Sequence, residues 1–122
     1  MKTSSIYKDL LTEQQLATLF NVRLKFGDRN QISVSAEECC ELAKELLKFT
    51  RYNHSATAVV CTKDAVKEEV ADVLIVLNHV LSIFRISDEE LAEIMRKKIN
   101  RIDNWLKTSE SMEITTKMRE LE

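Results

Sequence analysis

Apolar residues recur along most of the chain at intervals of three and four, the spacing that puts side chains on one face of an α-helix. Four such stretches are separated by short polar segments. They predict helices at residues 12–26, 34–51, 62–84 and 87–107. The third stretch has the broadest apolar stripe, so we expect its helix to be central.

Capping patterns support two of these helix starts. Thr12 is followed three residues later by Gln15, and Ser87 is followed by Glu90 at the same spacing. Both pairs have the form of a capping box, in which each partner satisfies a backbone N–H group of the other. Thr62 has the position of a cap for the third helix.

The boundary between the first two helices depends on "GDRN" at residues 27–30. Gly27 is expected to end the first helix, because glycine is favoured just beyond a helix C-terminus. The second helix is expected to begin near Val34, with Ser33 or Ser35 as its cap. Asn30 would then lie in a loop.

Composition narrows the fold class to all-α. The chain has no proline and one glycine in 122 residues, too few turn residues for a β-rich protein. Its 44% hydrophobic and 31% charged residues predict one folded domain over residues 1–122. The tail at 108–122 is expected to be an arm against a partner subunit or a frayed end.

Charge and hydropathy favour a cytoplasmic protein. The net charge of −2 gives no reason to expect binding to nucleic acid or to an anionic membrane. The N-terminus has no apolar signal sequence, and the longest apolar stretch is interrupted by Asp72, Asn78 and His79. His79 is expected to be a satisfied core or interface histidine.

The three cysteines, Cys39, Cys40 and Cys61, form no CxxC pattern and match no histidine pair, which argues against a zinc site. We expect reduced, mostly buried thiols, with Cys39 and Cys40 filling core and near-core positions.

Two acidic pairs are the strongest candidate for chemistry. Glu38 and Glu41 are three residues apart on the second helix, and Glu69 and Asp72 repeat this spacing on the third. Each pair therefore shares a helix face. If the two helices pack antiparallel, the pairs can face each other, and their repulsion would be relieved by a divalent cation. Oxygen-only ligands favour Mg²⁺ or Mn²⁺.

The alternative to a metal site is that both pairs are solvated. Acidic pairs are common in a chain with this much charge, but Glu69 and Asp72 interrupt the most apolar helix, where an unpaired charge is costly. A di-iron bundle would need histidines three residues after glutamates, and neither His54 nor His79 has that spacing.

Three motifs in order resemble a known family. "EECCE" at 37–41 matches an EExxE motif, "EEVAD" at 68–72 contains the following ExxD, and "RKKINR" at 96–101 resembles the basic segment that completes the pattern. Together they resemble the MazG-like, all-α nucleoside triphosphate pyrophosphohydrolases, the superfamily of dimeric dUTPases and dCTP pyrophosphatases. The resemblance covers about residues 15–107.

The resemblance implies a four-helix MazG-like bundle and hydrolysis of a (deoxy)nucleoside triphosphate to the monophosphate and pyrophosphate, with Mg²⁺ and with Mn²⁺ as a substitute. The metal ligands it implies are Glu38, Glu41, Glu69 and Asp72. Glu37 lies about 100° from Glu38 around the helix and either has a direct role or is solvated. The general base is Glu41 or Glu37, and the choice stays open.

The same resemblance implies phosphate contacts from Lys97, Asn100 and Arg101, and a nucleotide contact near Asn30. A solvated basic face that pairs with "SDEELAE" of the same helix is the alternative for the basic segment.

Relatives of this kind form dimers or tetramers, so the resemblance also implies self-association. Two other functions stay open: a non-catalytic helical interaction module that retains the fold, and a phosphoribosyl-ATP pyrophosphohydrolase-like enzyme.

Overall fold

The structure is a computed structural model that describes residues 4–52 and 61–121. Within these ranges it contains helices and no strand, which confirms the all-α class. The polar connection predicted after the second helix lies, at residues 53–60, outside the described residues. The elements are a 3₁₀ turn at Ser5–Tyr7 and the helices α1 (Glu13–Phe26), α2 (Asp28–Tyr52), α3 (Lys63–Ile83) and α4 (Asp88–Leu121).

The predicted caps are present. The Thr12 hydroxyl accepts a hydrogen bond from the Gln15 backbone N–H at 3.1 Å, and the Gln15 side chain accepts one from the Thr12 N–H at 2.9 Å. Ser87 and Glu90 make the same two bonds at 3.1 and 2.8 Å. Thr62 caps α3 through its hydroxyl. Each cap satisfies donors that a helix N-terminus leaves unpaired.

The predicted start of α2 is wrong. Gly27 ends α1, with its N–H bonded to the Arg23 carbonyl, and α2 begins at the next residue, Asp28. The backbone at Gly27 has φ 87° and ψ 152°, a region essentially restricted to glycine, so one residue is enough to turn the corner. The Arg23 guanidinium bonds the Asp28 carboxylate at 3.1 Å across that corner. Asn30 is therefore helical and does not lie in a loop.

Neither serine proposed as the cap of α2 has that role. Ser35 lies inside α2 and is buried, and its hydroxyl donates a hydrogen bond to the Gln31 carbonyl at 2.6 Å. Ser33 lies on the exposed side of the same helix. Because α2 starts six residues before the predicted position, both serines fall in its interior.

The end of α3 follows a Schellman pattern. The Ile86 N–H bonds the Leu81 carbonyl at 2.9 Å, and the Arg85 N–H bonds the Ser82 carbonyl at 3.2 Å. Arg85 has φ 54°, the left-handed conformation that this motif requires. The predicted end of the third helix near residue 84 is confirmed, because α3 ends at Ile83.

The last helix is longer than predicted. Its predicted end is near Lys107, whereas α4 continues to Leu121 and spans 34 residues. Residues 108–121 contain no glycine or proline, so no helix-breaking residue ends α4 in this segment. At 1.5 Å per residue, α4 is about 51 Å long.

The chain divides into two compact units, Met1–Ile86 and Ser87–Glu122. In the first unit, α2 packs chiefly on α3, and α1 packs on both. The pair is antiparallel, because Ser35 near the start of α2 contacts Val76 late in α3, while Phe49 at the end of α2 shares a groove with Val66 early in α3. The 3₁₀ turn is fixed by Tyr7, whose hydroxyl donates to the Leu74 carbonyl.

The buried positions of the first unit are largely polar. Buried apolar residues within the described ranges are limited to Tyr7 and Val76. Large apolar side chains at helical spacing on α1 and α2 are exposed. They include Phe20 and Leu24 of α1 and Leu46, Leu47 and Phe49 of α2. The buried polar residues are Gln31, Ser35, Glu45 and His79.

Within the described ranges, no single helix is both long and apolar enough to cross a membrane.

Candidate metal centre between two helices

The contact between α2 and α3 is built on a polar face of α2. Gln31, Ser35, Glu38 and Glu45 recur on this face at intervals of four, three and seven residues, which is the helical repeat. Ser35 is 4% exposed, and its hydroxyl lies 3.3 Å from the Val76 carbonyl of α3. A side chain this small lets the two backbones approach closely at that end of the interface.

Three carboxylates meet in this interface. One oxygen from each of Glu38, Glu69 and Asp72 lies within 4.8 Å of the others. Glu38 and Glu69 are partly buried. The antiparallel packing of α2 on α3 therefore brings together one member of the first predicted pair and both members of the second.

The charge of this cluster acts on Glu69 in particular. Its pKa is raised above the usual range, first because burial disfavours the charged form and then because Asp72, Glu41 and Glu38 repel it. A positive charge placed among these groups would stabilise their ionised forms. A cation bound at the cluster would therefore offset the repulsion among these carboxylates.

The donor set fits an oxygen-liganded divalent cation. Oxygens bound to one Mg²⁺ lie about 2.1 Å from the ion and therefore at most about 4.2 Å from one another. The three carboxylate oxygens are spread slightly wider than this, over up to 4.8 Å. Small side-chain rotations close the difference, and no nitrogen or sulfur ligand is part of the group.

Glu41, the fourth predicted ligand, and Glu37, the other predicted general base, lie outside the three-carboxylate group. Glu41 is exposed, is not part of the three-carboxylate group and lies 3.7 Å from Lys44. Its charge nevertheless reaches Glu69. Glu37 and Glu68 are both exposed. The roles assigned to Glu37 and Glu41 stay predictions.

The vicinal cysteines are not core residues. Cys39 and Cys40 are exposed, contrary to the prediction of buried thiols, and Cys61 is half-buried. The reason is geometric: Cys39 and Cys40 lie about 100° and 200° around α2 from Glu38, which faces α3. In "EECCE" it is Glu38, and neither cysteine, that faces the neighbouring helix.

The predicted phosphate contacts lie on α4, in the second unit. Lys97 pairs with Glu93 of the same helix at 3.4 Å, and Arg96 pairs with Glu93 at 2.8 Å. This is the solvated, self-paired basic face considered as the alternative. Asn100 and Arg101 are exposed. Phosphate binding by Lys97, Asn100 and Arg101 stays a prediction.

Asn30, the predicted nucleotide contact, is exposed in the first turn of α2. No described interaction assigns it a role, so that contact also stays a prediction.

Glu45 is a buried acidic residue that was not predicted from the sequence. This residue is 8% exposed, and its carboxylate bonds the Lys48 ammonium at 2.9 Å. The spacing could have predicted it: Glu45 follows Glu38 by seven residues and Glu41 by four, and therefore lies on the same face of α2.

Comparison of the chain with protein-family models, with curated proteins and with solved structures finds no match. The resemblance of the three motifs to MazG-like enzymes therefore stays a prediction.

Proposed function

We propose that this protein is a Mg²⁺-dependent pyrophosphohydrolase that converts a (deoxy)nucleoside triphosphate to the monophosphate and pyrophosphate. The observation that carries the proposal is the meeting of Glu38, Glu69 and Asp72 within 4.8 Å inside a helix–helix contact. Placing partly buried carboxylates this close together is unfavourable unless something compensates their charge. The same residues belong to two of the three motifs that resemble the pyrophosphohydrolase family.

In this proposal the three carboxylates hold the cation from two different helices. The bound cation supplies charge neutralisation for the phosphates and lowers the pKa of a coordinated water. The antiparallel packing of α2 on α3 keeps the carboxylates in place before substrate arrives, so little reorganisation accompanies binding.

A carboxylate not used to hold the cation has the second task of accepting a proton from the attacking water. Glu41 suits this task better than Glu37, because its charge reaches Glu69 and its side chain is solvated. Its pairing with Lys44 at 3.7 Å on the surface is weak and leaves it available.

The basic segment of α4 has the complementary task of binding phosphate. Lys97 and Arg101 lie four residues apart and share a face of the helix. Lys97 would exchange its surface pairing with Glu93 for a phosphate oxygen, at little cost because exposed ion pairs contribute little. Asn100 would donate to a neighbouring phosphate oxygen.

We further propose a MazG-like bundle that assembles as a dimer or tetramer. Apolar side chains of α1, α2 and α4 stay more than half exposed in the single chain, among them Leu24, Phe49 and Ile102. Exposed apolar surface on this scale is typical of surfaces that pair with another chain.

The test is pyrophosphate release from the eight common NTPs and dNTPs, measured with and without Mg²⁺. Wild-type protein is expected to release pyrophosphate and monophosphate only with the cation. Glu38→Gln keeps the size of the side chain and removes its charge, and it is expected to lose activity. Glu68→Gln is the matched control, because Glu68 is exposed on the neighbouring helix, and it should behave as wild type.

Two outcomes would contradict the proposal. One is pyrophosphate release that is equal in wild type and Glu38→Gln. The other is no turnover of any triphosphate by folded protein that binds the cation, which would instead support a helical module with a structural ion.

A further inference from the structure

Glu45 and Lys48 form an ion pair on α2, about two helical turns beyond Glu38. The Glu45 side chain is 10% exposed, and its Oε2 accepts a hydrogen bond from the Lys48 ammonium at 2.9 Å. Lys48 is less buried, with 38% of its side chain exposed. A carboxylate buried to this degree needs a partner, and Lys48 supplies it.

The pair belongs to the same electrostatic system as the cluster. Glu45 lies seven residues from Glu38, about 10.5 Å along the axis of α2 and on the same face. Its charge contributes to the raised pKa of Glu69. Lys48 in turn has a raised pKa, first through its hydrogen bond and charge interaction with Glu45, with a smaller contribution from Glu41.

We propose that Lys48 is an internal counter-ion: by pairing with Glu45 it sets the net charge beside the Glu38–Glu69–Asp72 cluster and hence the affinity of that cluster for a divalent cation. Lys48 and Glu45 are positioning residues, since they act through the cluster and need not touch the ion. The inference rests on the proposed function only for the assignment of the cluster as a cation site.

The direction of the effect follows from charge. The native pair is neutral overall and adds no net charge beside the cluster, although the negative charge of Glu45 still acts on Glu69. Without Lys48, Glu45 adds one negative charge and tightens cation binding. Without Glu45, Lys48 adds one positive charge and weakens it. A unit charge acting on a divalent cation across about 10 Å, at a dielectric constant between that of water and half of it, changes affinity roughly four- to fifteenfold.

The experiment is titration of the full-length protein with Mn²⁺, followed by the electron paramagnetic resonance of the free ion. Lys48→Met is expected to bind Mn²⁺ roughly four- to fifteenfold more tightly than wild type, and Glu45→Gln to bind it more weakly by a similar factor. The double variant Glu45→Gln/Lys48→Met restores a neutral pair and is expected to return close to the wild-type affinity. Lys48→Arg keeps the charge and should do the same.

A matched control separates this pair from the overall charge of the protein. Lys67 pairs with Asp64 at 3.5 Å with the same i, i+3 spacing, but both side chains are exposed. Lys67→Met removes one positive charge, as Lys48→Met does, and is expected to leave Mn²⁺ affinity within about twofold of wild type, because solvent screens surface charges.

Several outcomes would overturn the inference. They are single variants that bind Mn²⁺ like wild type, a control that tightens binding as much as Lys48→Met, or wild-type protein that binds no Mn²⁺. If Lys48→Met does not fold, because Glu45 is left buried without a partner, the weakened binding of folded Glu45→Gln still decides. Normal charge effects on Mn²⁺ binding without pyrophosphate release would support the inference and contradict only the proposed function.

Discussion

One ring nitrogen of His79 is a buried group without a hydrogen-bond partner among the described residues. The residue is 2% exposed, and this nitrogen is its Nδ1. It was expected to be a satisfied histidine, and only its burial is confirmed. Its pKa is lowered, chiefly by burial and then by the charge of Arg23, while Asp28 acts in the opposite direction.

This environment predicts a pH dependence of stability. Because the folded state disfavours protonated His79, the unfolded chain takes up the proton first as the pH falls below about 6.5. The stability associated with neutral His79 is therefore fully present above that pH. It decreases as the pH falls from about 6.5 toward the lowered pKa of the folded state. Urea unfolding between pH 7.5 and 5 measures the effect.

The control is His79→Gln, which does not titrate. Its free energy of unfolding should decrease less between pH 7 and 5.5 than that of wild type, whatever its absolute value. Equal slopes for the two proteins would mean that His79 does not contribute to the pH dependence.

The raised pKa of Glu69 predicts a pH dependence of stability that is opposite in sign to that of His79. Its raised pKa means that ionised Glu69 is disfavoured in the metal-free fold, and this strain is relieved as the pH falls through that pKa. Without metal at pH 7, Glu69→Gln should melt at the wild-type temperature or a few degrees above it, since solvent screens a partly exposed group. Adding Mg²⁺ should raise the melting temperature of wild type more than that of the variant.

Differential scanning calorimetry with and without EDTA makes this comparison, with Glu68→Gln as the exposed control. If Mg²⁺ stabilises Glu69→Gln as much as wild type, Glu69 is not part of the cation site.

At the scale of elements, the contact of α2 with α3 depends on a small side chain at Ser35. Ser35→Leu inserts a bulky group where the helices approach, and it is expected to cost about 1–3 kcal/mol in the free energy of unfolding. Separating the helices at this point should also weaken Mn²⁺ binding, because Glu38 lies one turn further along α2.

Ser33→Leu is the matched control for that change. Ser33 is exposed on the same helix, so the same substitution should stay within about 0.5 kcal/mol of wild type. If urea unfolding shows equal destabilisation of the two variants, leucine destabilises helix α2 itself and not its contact with α3.

The sequence predicted features that are local. The capping boxes at Thr12 and Ser87 and the end of α3 depend on residues at most five positions apart, and all three are confirmed. The three-residue spacing of the carboxylates predicted which positions share a helix face. The burial of Glu45 and the exposure of Phe20 depend on how helices pack, which the helical repeat does not encode.

At the scale of the whole molecule, many large apolar side chains are exposed, whereas the described buried residues include the polar Gln31, Ser35, Glu45 and His79. On α4, exposed apolar residues follow one another at intervals of four, three and four, namely Met95, Ile99, Ile102 and Leu106. This spacing is typical of a helix that buries one stripe against a partner. An isolated helix gains most of its stability from such packing.

We therefore expect the purified protein to have a mass of at least twice the 14.1 kDa of one chain. Ile102→Asp places a charge in the α4 stripe and should shift the protein toward the monomer, because burying an unpaired charge is unfavourable. Asn104→Asp adds the same charge outside the stripe and should leave the mass unchanged. Light scattering coupled to size-exclusion chromatography measures all three, and a wild-type mass of one chain would contradict the expectation.

The corner at Gly27 has a consequence for mutational scans of this protein. The residue is exposed, and a Cβ added there would meet no atom within 4 Å, so neither burial nor crowding restricts it. Its φ of 87° with ψ of 152° nevertheless excludes other residue types, including asparagine, which tolerates only the left-handed helical region. A scan that ranks positions by intolerance would place Gly27 among functional surface residues, although its constraint is the turn between two helices.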